Sequence, residues 1–274
     1  MQGRMVAPEE GRFQCFPRAS WQDEFERAAQ AGLTCLEWIF DGYGMDCNPI
    51  ETEAGIAEIQ ALSRSSGVAV LSVCADWFME MPLVRVEPGL WEERLSRLEW
   101  LLERCQLLGA NRVVLPFVDA SRIETGPELE QAVSAILRVL PAAEAAGVEL
   151  HLETSLAPQR FADLLNRLLH PLVKVNYDSG NSSSLGFQPR EEFAAYGPRI
   201  GSIHIKDRIL GGSTVPLGTG DADFPALFQA IRQGGYHGDF ILQAARGTSG
   251  DEVAWARRNR AFVVQGLESV QAQP

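Results

Sequence analysis

The chain has 274 residues, 46% hydrophobic and 22% charged, a composition that suits one large α/β domain or two small ones. Its 24 basic and 36 acidic residues leave a formal net charge of −12, which repels a phosphate backbone, so no nucleic-acid partner is expected. No apolar run reaches the roughly 18–20 residues that cross a bilayer, the opening MQGRMVAPEEGR lacks a signal-peptide core, and the scattered Cys15, Cys35, Cys47, Cys74 and Cys105 form no C-x-x-C, so no membrane, no disulfide scaffold and a cytoplasmic setting are expected.

Short apolar runs rich in branched residues alternate with longer amphipathic stretches along the whole chain. Residues 1–6 read as a first strand. Ser20-Trp21-Gln22-Asp23 reads as a capping box that opens a helix. Further strands are expected at 33–40, 68–74, 112–117, 148–153, 173–178, 200–205 and 239–243. Between the third and fourth of these eight, Leu95, Leu98, Leu101, Leu102, Cys105 and Leu108 mark one face of a helix. Near the end, Asp223-Phe224-Pro225 opens a capped helix that Gly234-Gly235 stops. Gly32, Gly67, Gly109, Gly147 and Gly238 each precede a strand, the C-cap position of a repeated αβ unit. Eight such units predict an α/β chain folded as a (β/α)8 TIM barrel. A doubly wound open sheet is the competitor, but no G-x-G-x-x-G or P-loop turn follows the early strands. No Pro/Gly/Ser-rich linker divides the chain, so residues 1–274 read as a single domain.

Strand parity points the same way. Glu149, His151 and Glu153 share one face of their strand, Lys174, Asn176 and Asp178 that of the next, and Ser202 and His204 that of the one after. Such one-sided polarity fits a barrel whose outside packs on helices and whose inside holds a polar site. Each of the last four strands ends in a group able to ligate a metal: Glu153, Asp178, His204 and Gln243. At successive barrel strand ends they would converge on one point, an oxygen-rich site for one divalent ion, Mn²⁺, Mg²⁺, Co²⁺ or Zn²⁺. A lone carboxylate or histidine at a strand end is more often a cap or a satisfied core group; the signal is the repetition.

These stretches resemble a known family. His151-Leu-Glu-Thr, Asn176-Tyr-Asp-Ser-Gly-Asn181, Ser202-Ile-His-Ile-Lys-Asp207 and Val215-Pro-Leu-Gly-Thr-Gly-Asp-Ala-Asp-Phe224 resemble the xylose-isomerase-like sugar phosphate isomerase/epimerase superfamily. Within it they are most similar to L-ribulose-5-phosphate 3-epimerase and hexulose-6-phosphate isomerase-type proteins. The likeness runs from Leu36-Glu-Trp38 to Phe240-Ile-Leu-Gln243. It implies a TIM barrel with one divalent metal held by Glu, Asp, His and a final Glu, which by motif position fall on Glu153, Asp178, His204 and Gln243. Relatives that epimerise use the first and last Glu as an acid/base pair. Gln243 can ligate through its oxygen but cannot take up a proton at neutral pH. The first strand also looks truncated against the family, so the chain is expected to start upstream or the barrel to close imperfectly there.

Other residues have weaker signals. Glu37, near the end of the second strand, would bind a substrate hydroxyl or a ligand, or form a structural ion pair. Asp76 and Trp77 follow the third strand, where a substrate wall or a rim-packing aromatic belongs. His151 reads as a core hydrogen-bond partner. Lys206, Arg208 and Arg246 follow the last strands, where many barrels bind phosphate, and Gly218-Thr-Gly220 could offer backbone N–H groups there. Trp21, Trp91 and Trp100 read as packing residues. The expected function is a divalent-metal-dependent isomerase or epimerase of a small sugar or sugar phosphate, working through an enediolate with Glu153 as base and Gln243 as its catalytic partner or fourth ligand. Glu37, Asp76, Lys206 and Arg246 would contact substrate. A metal-dependent lyase or dehydratase of a polyol ketone also survives the Gln243 departure, as does a non-catalytic sugar-binding barrel. A multi-metal endonuclease of the same superfamily needs more histidines than the four present. The sequence is also compatible with a homo-oligomer.

Overall fold

A computed structural model describes residues 1–248 and 250–271. The single-domain span read above therefore includes 249 and 272–274, which lie outside the described residues. Seven parallel strands form one continuous sheet: β1 (Cys35–Ile39), β2 (Ala69–Cys74), β3 (Arg112–Phe117), β4 (Glu149–Thr154), β5 (Val173–Asp178), β6 (Ile200–Ile205) and β9 (Phe240–Leu242). A short antiparallel pair, β7 (Asp207–Arg208) and β8 (Thr214–Val215), stands apart after β6. The helices are α1 (Asp23–Gln30), α2 (Glu53–Ser66), α3 (Trp77–Glu80), α4 (Pro88–Leu108), α5 (Gly126–Ala146), α6 (Pro158–Asn166), α7 (Ser179–Ser184), α8 (Pro189–Tyr196), α9 (Phe224–Gln233) and α10 (Glu252–Gln271). No helix among the described residues is long and apolar enough to cross a membrane.

Local sequence explains most of these elements. The apolar stripe on α4 is its buried face, residue for residue, and Gly109 ends the helix at φ 87°. Asp223 caps α9 by accepting from the Ala226 N–H, and Gly234 follows the last turn. Gly32, Gly67, Gly109 and Gly147 all adopt positive φ, the left-handed conformation that glycine enters without a Cβ clash. Trp21 packs edge-on against Trp38, while Trp91 and Trp100 lie half-buried on the core.

Three expectations are corrected. Ser20-Trp21-Gln22-Asp23 forms no capping box: α1 begins at Asp23 with no side-chain cap, and the Ser20 carbonyl accepts the Asp23 N–H instead. Gly238 is not a C-cap, because α9 stops earlier at Gln233 and Gly235 carries the positive φ. Residues 1–6 are not a strand. Only Gln2 bridges to Glu37, and the gap between β9 and β1 is spanned by Gln2 N–H donating to the Leu242 carbonyl (3.3 Å) and Glu37 N–H donating to the Met1 carbonyl (2.9 Å). Gly3 turns the chain away at φ 46°, where a Cβ would lie 2.3 Å from Ile39 Cδ1. The barrel is thus nearly closed, with seven strands and a one-residue eighth stave.

Candidate functional site

The inward faces of the strands carry a buried polar ladder. His151 uses both ring nitrogens, Nδ1 with Ser202 Oγ (2.7 Å) and Nε2 with Glu149 (2.8 Å). Ser202 in turn donates to Asn176 Oδ1 (2.6 Å), whose amide donates to Glu153 Oε2 (2.7 Å). His151 is therefore a core partner, as its place below Glu153 implied. The alternation that made these strands legible builds this ladder, because every second residue enters the barrel.

At the top of the ladder, Glu153, Asp178 and His204 come together, all buried, with one ligand atom from each lying within 4.8 Å of the others. His204 Nδ1 sits 3.4 Å from Glu153 Oε2 and 4.0 Å from Asp178 Oδ2, and among the described residues it has no well-aligned hydrogen-bond partner. A buried ring nitrogen orphaned between two carboxylates is the arrangement a divalent cation satisfies, so the donor set fits the metal read from the sequence. On its other side, His204 Nε2 lies 2.8 Å from Glu37 Oε1, a close ionic contact without a well-aligned hydrogen bond. Ser72 Oγ holds the second oxygen of Glu37 at 2.8 Å. Burial alone would lower the His204 pKa, but Glu37 and Glu153 outweigh it and hold it at about 10, so a cation bound at Nδ1 would have to displace a proton there. Burial alone would raise the Glu37 carboxyl, yet the facing imidazolium brings it below the usual range.

Gln243 and Lys206 stand beside this triad. Lys206 Nζ donates to Gln243 Oε1 (2.6 Å) and lies 3.4 Å from Asp178 Oδ2. The Gln243 amide donates to Gln2 Oε1 at 2.7 Å. A cavity of about 570 Å³ opens above, at the C-terminal ends of the strands, and Glu153, Asp76, Lys206, Arg208 and Gln243 line it. That volume lies within the range of small-molecule sites. Arg246 goes elsewhere. Its guanidinium donates to the carbonyls of Val6 (2.8 Å), Phe13 (3.1 Å) and Gly3 (3.3 Å), and it is not among the cavity-lining residues. Trp77 packs on Phe40 and Phe78 at the rim. The N–H groups of Gly218, Thr219 and Gly220 are not free for phosphate, because all three donate to Asp207 Oδ2.

Several site residues carried no assigned role in the sequence reading. Asn181 donates to Glu153 Oε1 (2.5 Å) and accepts from Arg208 (3.0 Å). It stands in the quoted Asn176–Asn181 motif, three residues past a strand end, and that was its signal. Gln2, Arg4 and Gln14 form a chain from Gln243 to Asp76: Arg4 donates to Gln2 Oε1 (3.2 Å) and Gln14 Oε1 (2.9 Å), and Gln14 donates to Asp76 Oδ2 (2.5 Å). Nothing in the irregular N-terminal segment announced them.

The seven-stranded barrel with an acid–histidine centre at its C-terminal mouth defines a class. Residues 25–264 match the family model described as xylose isomerase-like TIM barrel, and the chain belongs to that family. Among its relatives, the chain is 23% identical over 252 residues to L-ribulose-5-phosphate 3-epimerase UlaE of Escherichia coli, covering 89% of this chain and 88% of that one. Its fold is similar to that of an L-ribulose 3-epimerase, with a TM-score of 0.77 and 16% identity over 99% of this chain and 94% of the other. It is also similar to a xylose isomerase-like TIM barrel protein from Mycobacterium smegmatis in complex with magnesium, with a TM-score of 0.70 and 18% identity over 98% and 95% of the two chains.

Proposed function

We propose that this chain is a divalent-metal-dependent isomerase or epimerase of a small sugar or sugar phosphate, with Glu153 as the base. The convergence of Glu153, Asp178 and the orphaned His204 Nδ1 beneath the cavity carries the reading. The relatives named above as epimerases support it. A divalent cation at the triad would polarise a carbonyl and its neighbouring hydroxyl, acidifying the carbon between them.

The chain's own residues account for the rest. Asn176 and Asn181 each donate an amide to one oxygen of Glu153, which fixes the carboxylate's direction, while His204 Nδ1 stands 3.4 Å from Oε2. So held, it can take a proton from carbon and return it to a neighbouring carbon, as aldose–ketose isomerisation requires. Lys206 places a buried ammonium against Asp178 and Gln243, a fixed positive charge in the wall where enediolate charge develops. Gln243 acts as an amide that orients Lys206 and meets substrate or metal, not as a proton acceptor.

The test is a screen of ketopentoses and ketohexoses, free and phosphorylated, in D2O with Mn²⁺, Mg²⁺, Co²⁺ or Zn²⁺ added singly. Solvent deuterium should enter the carbon next to the carbonyl in at least one sugar, and Glu153→Gln should slow entry about 100-fold or more. Absence of deuterium in every sugar with metal-loaded wild type overturns the reading. Loss of water from the sugar would instead identify a dehydratase.

A further inference from the structure

Inverting a carbon centre needs a proton donor on the face opposite the base, and Gln243 cannot be that donor. Among the described residues, five carboxylates line the cavity: Asp41, Asp76, Glu80, Asp119 and Glu153. Glu80 and Asp119 are exposed to solvent. Asp41 is buried but committed, one oxygen accepting from the Phe16 N–H and the other from the Gly44 N–H, both at 2.7 Å. Glu153 is the base already assigned. Asp76 remains.

Asp76 is placed for more than structure. It stands at the N-cap of α3 yet makes no capping hydrogen bond. Its buried carboxyl also accepts on both oxygens, from the Gln14 amide at Oδ2 (2.5 Å) and the Cys74 thiol at Oδ1 (3.2 Å), but a thiol is a weak donor and leaves Oδ1 able to carry a proton, and no Lys or Arg pairs with it among the described residues. With the Gln2 bridge counted as the first stave, Asp76 follows the third and His204 lies on the seventh. In an eight-stave ring those positions face each other across the axis. A sugar over the triad would therefore have Asp76 across the axis from His204, while Glu153, at the end of the fifth stave, stands a quarter-turn from Asp76, so the two carboxyls reach the sugar from different directions.

We propose that Asp76 is the second acid–base group of this site, delivering a proton to the enediolate on the face away from Glu153. The proposal rests on the sugar isomerase or epimerase reading above. Glu153 takes the proton from carbon, and the C–H electron pair enters the enediolate. Asp76, as a carboxylic acid, then gives its O–H proton to the same carbon from the other side, the electron pair returning to the new C–H bond. Glu153 ends protonated and Asp76 ionised, and exchange with solvent resets both. Burial raises the Asp76 carboxyl; the Gln14 and Cys74 bonds lower it, the charges of Glu153 and Asp41 raise it, and the outcome is about 6. Near neutral pH both of its forms are then populated, which suits a group that must give and regain a proton.

The experiment uses metal-loaded protein and every sugar from the D2O screen, read by stereochemically resolved NMR. Wild type should invert a carbon with solvent-derived deuterium. Asp76→Asn, close in shape, should keep wild-type metal content and wash in deuterium within about threefold of wild type, while inversion falls about 100-fold or more. Asp76→Glu should restore part of the inversion. Inversion at the wild-type rate in Asp76→Asn overturns the proposal, and so does a wild type that exchanges deuterium on one face and never inverts. Wild type without any exchange removes the function reading itself, and this proposal with it.

Discussion

One buried carboxylate, Asp207, explains why two separated motifs occur together. It accepts the N–H groups of Gly218 (2.8 Å), Thr219 (3.1 Å) and Gly220 (2.9 Å) on one oxygen and that of Ala222 (3.1 Å) on the other. A Cβ at Gly220 would lie 2.3 Å from Asp207 Oδ1, so the Gly-Thr-Gly loop is glycine-rich to wrap a carboxylate of its own chain. Asp207→Ala should cost about 3 kcal/mol in urea unfolding, since four N–H groups lose a charged acceptor at once. A loss within 0.5 kcal/mol, the ~0.5 kcal/mol span of ordinary surface changes, would show that water replaces Asp207. Glu37 makes a second residue-scale case. By holding His204 Nε2 it aims Nδ1 at the two carboxylates, so Glu37→Gln should weaken divalent-metal affinity roughly 10–100-fold in a chelator competition, with the fold intact. Unchanged affinity would reduce Glu37 to a core ion pair.

At the scale of elements, the irregular residues 1–17 do the work of a missing strand and of a cavity wall. They have little regular structure of their own, and long-range groups hold them: Arg246 through three carbonyls, Asp41 through the Phe16 N–H, and Glu24, whose Oε1 accepts the N–H groups of Met5 (2.9 Å) and Val6 (3.1 Å). Burial pushes the Glu24 carboxyl up to about 7, the two N–H bonds opposing it. A folded-state pKa above the unfolded value of about 4.5 contributes stability that is full below that value and lost as pH rises through about 7. Between pH 5 and 8, wild type should therefore lose up to about 3 kcal/mol of unfolding free energy relative to Glu24→Gln. Parallel pH profiles for the two proteins would contradict that sign.

For the whole molecule, the weakest seam of the barrel is its closure. β3 and β4 pair over six residues, whereas among the described residues β9 and β1 are joined through the short N-terminal stave, by the backbone bonds at Gln2 and Glu37 and the Met1 ammonium donating to the Cys35 carbonyl (3.2 Å). Amides of Gln2 and Glu37 should exchange with solvent at least about tenfold faster than those of Val114, Leu115 and Leu152, because opening the seam breaks few contacts. Equal protection across these amides would mean that the barrel opens only as one unit. The seam also carries the polar chain from Gln243 through Gln2, Arg4 and Gln14 to Asp76, so closing it sets one wall of the site.

The sequence by itself determined the seven barrel strands to within two residues at each end, the buried stripe of α4, and the convergence of Glu153, Asp178 and His204. These follow from local rules: alternation of period two along a strand, a helical stripe, and the fixed placement of strand ends around a barrel mouth. What only the tertiary structure decided was the partner of each polar side chain. Arg246 meets Val6 across 240 residues and Gln243 meets Gln2 across 241. Lys206 turns inward to Gln243, and the Gly218–Gly220 amides turn to Asp207. No periodicity encodes such pairings, because each exists only once the ring has closed and removed the alternative partner, water, from both groups.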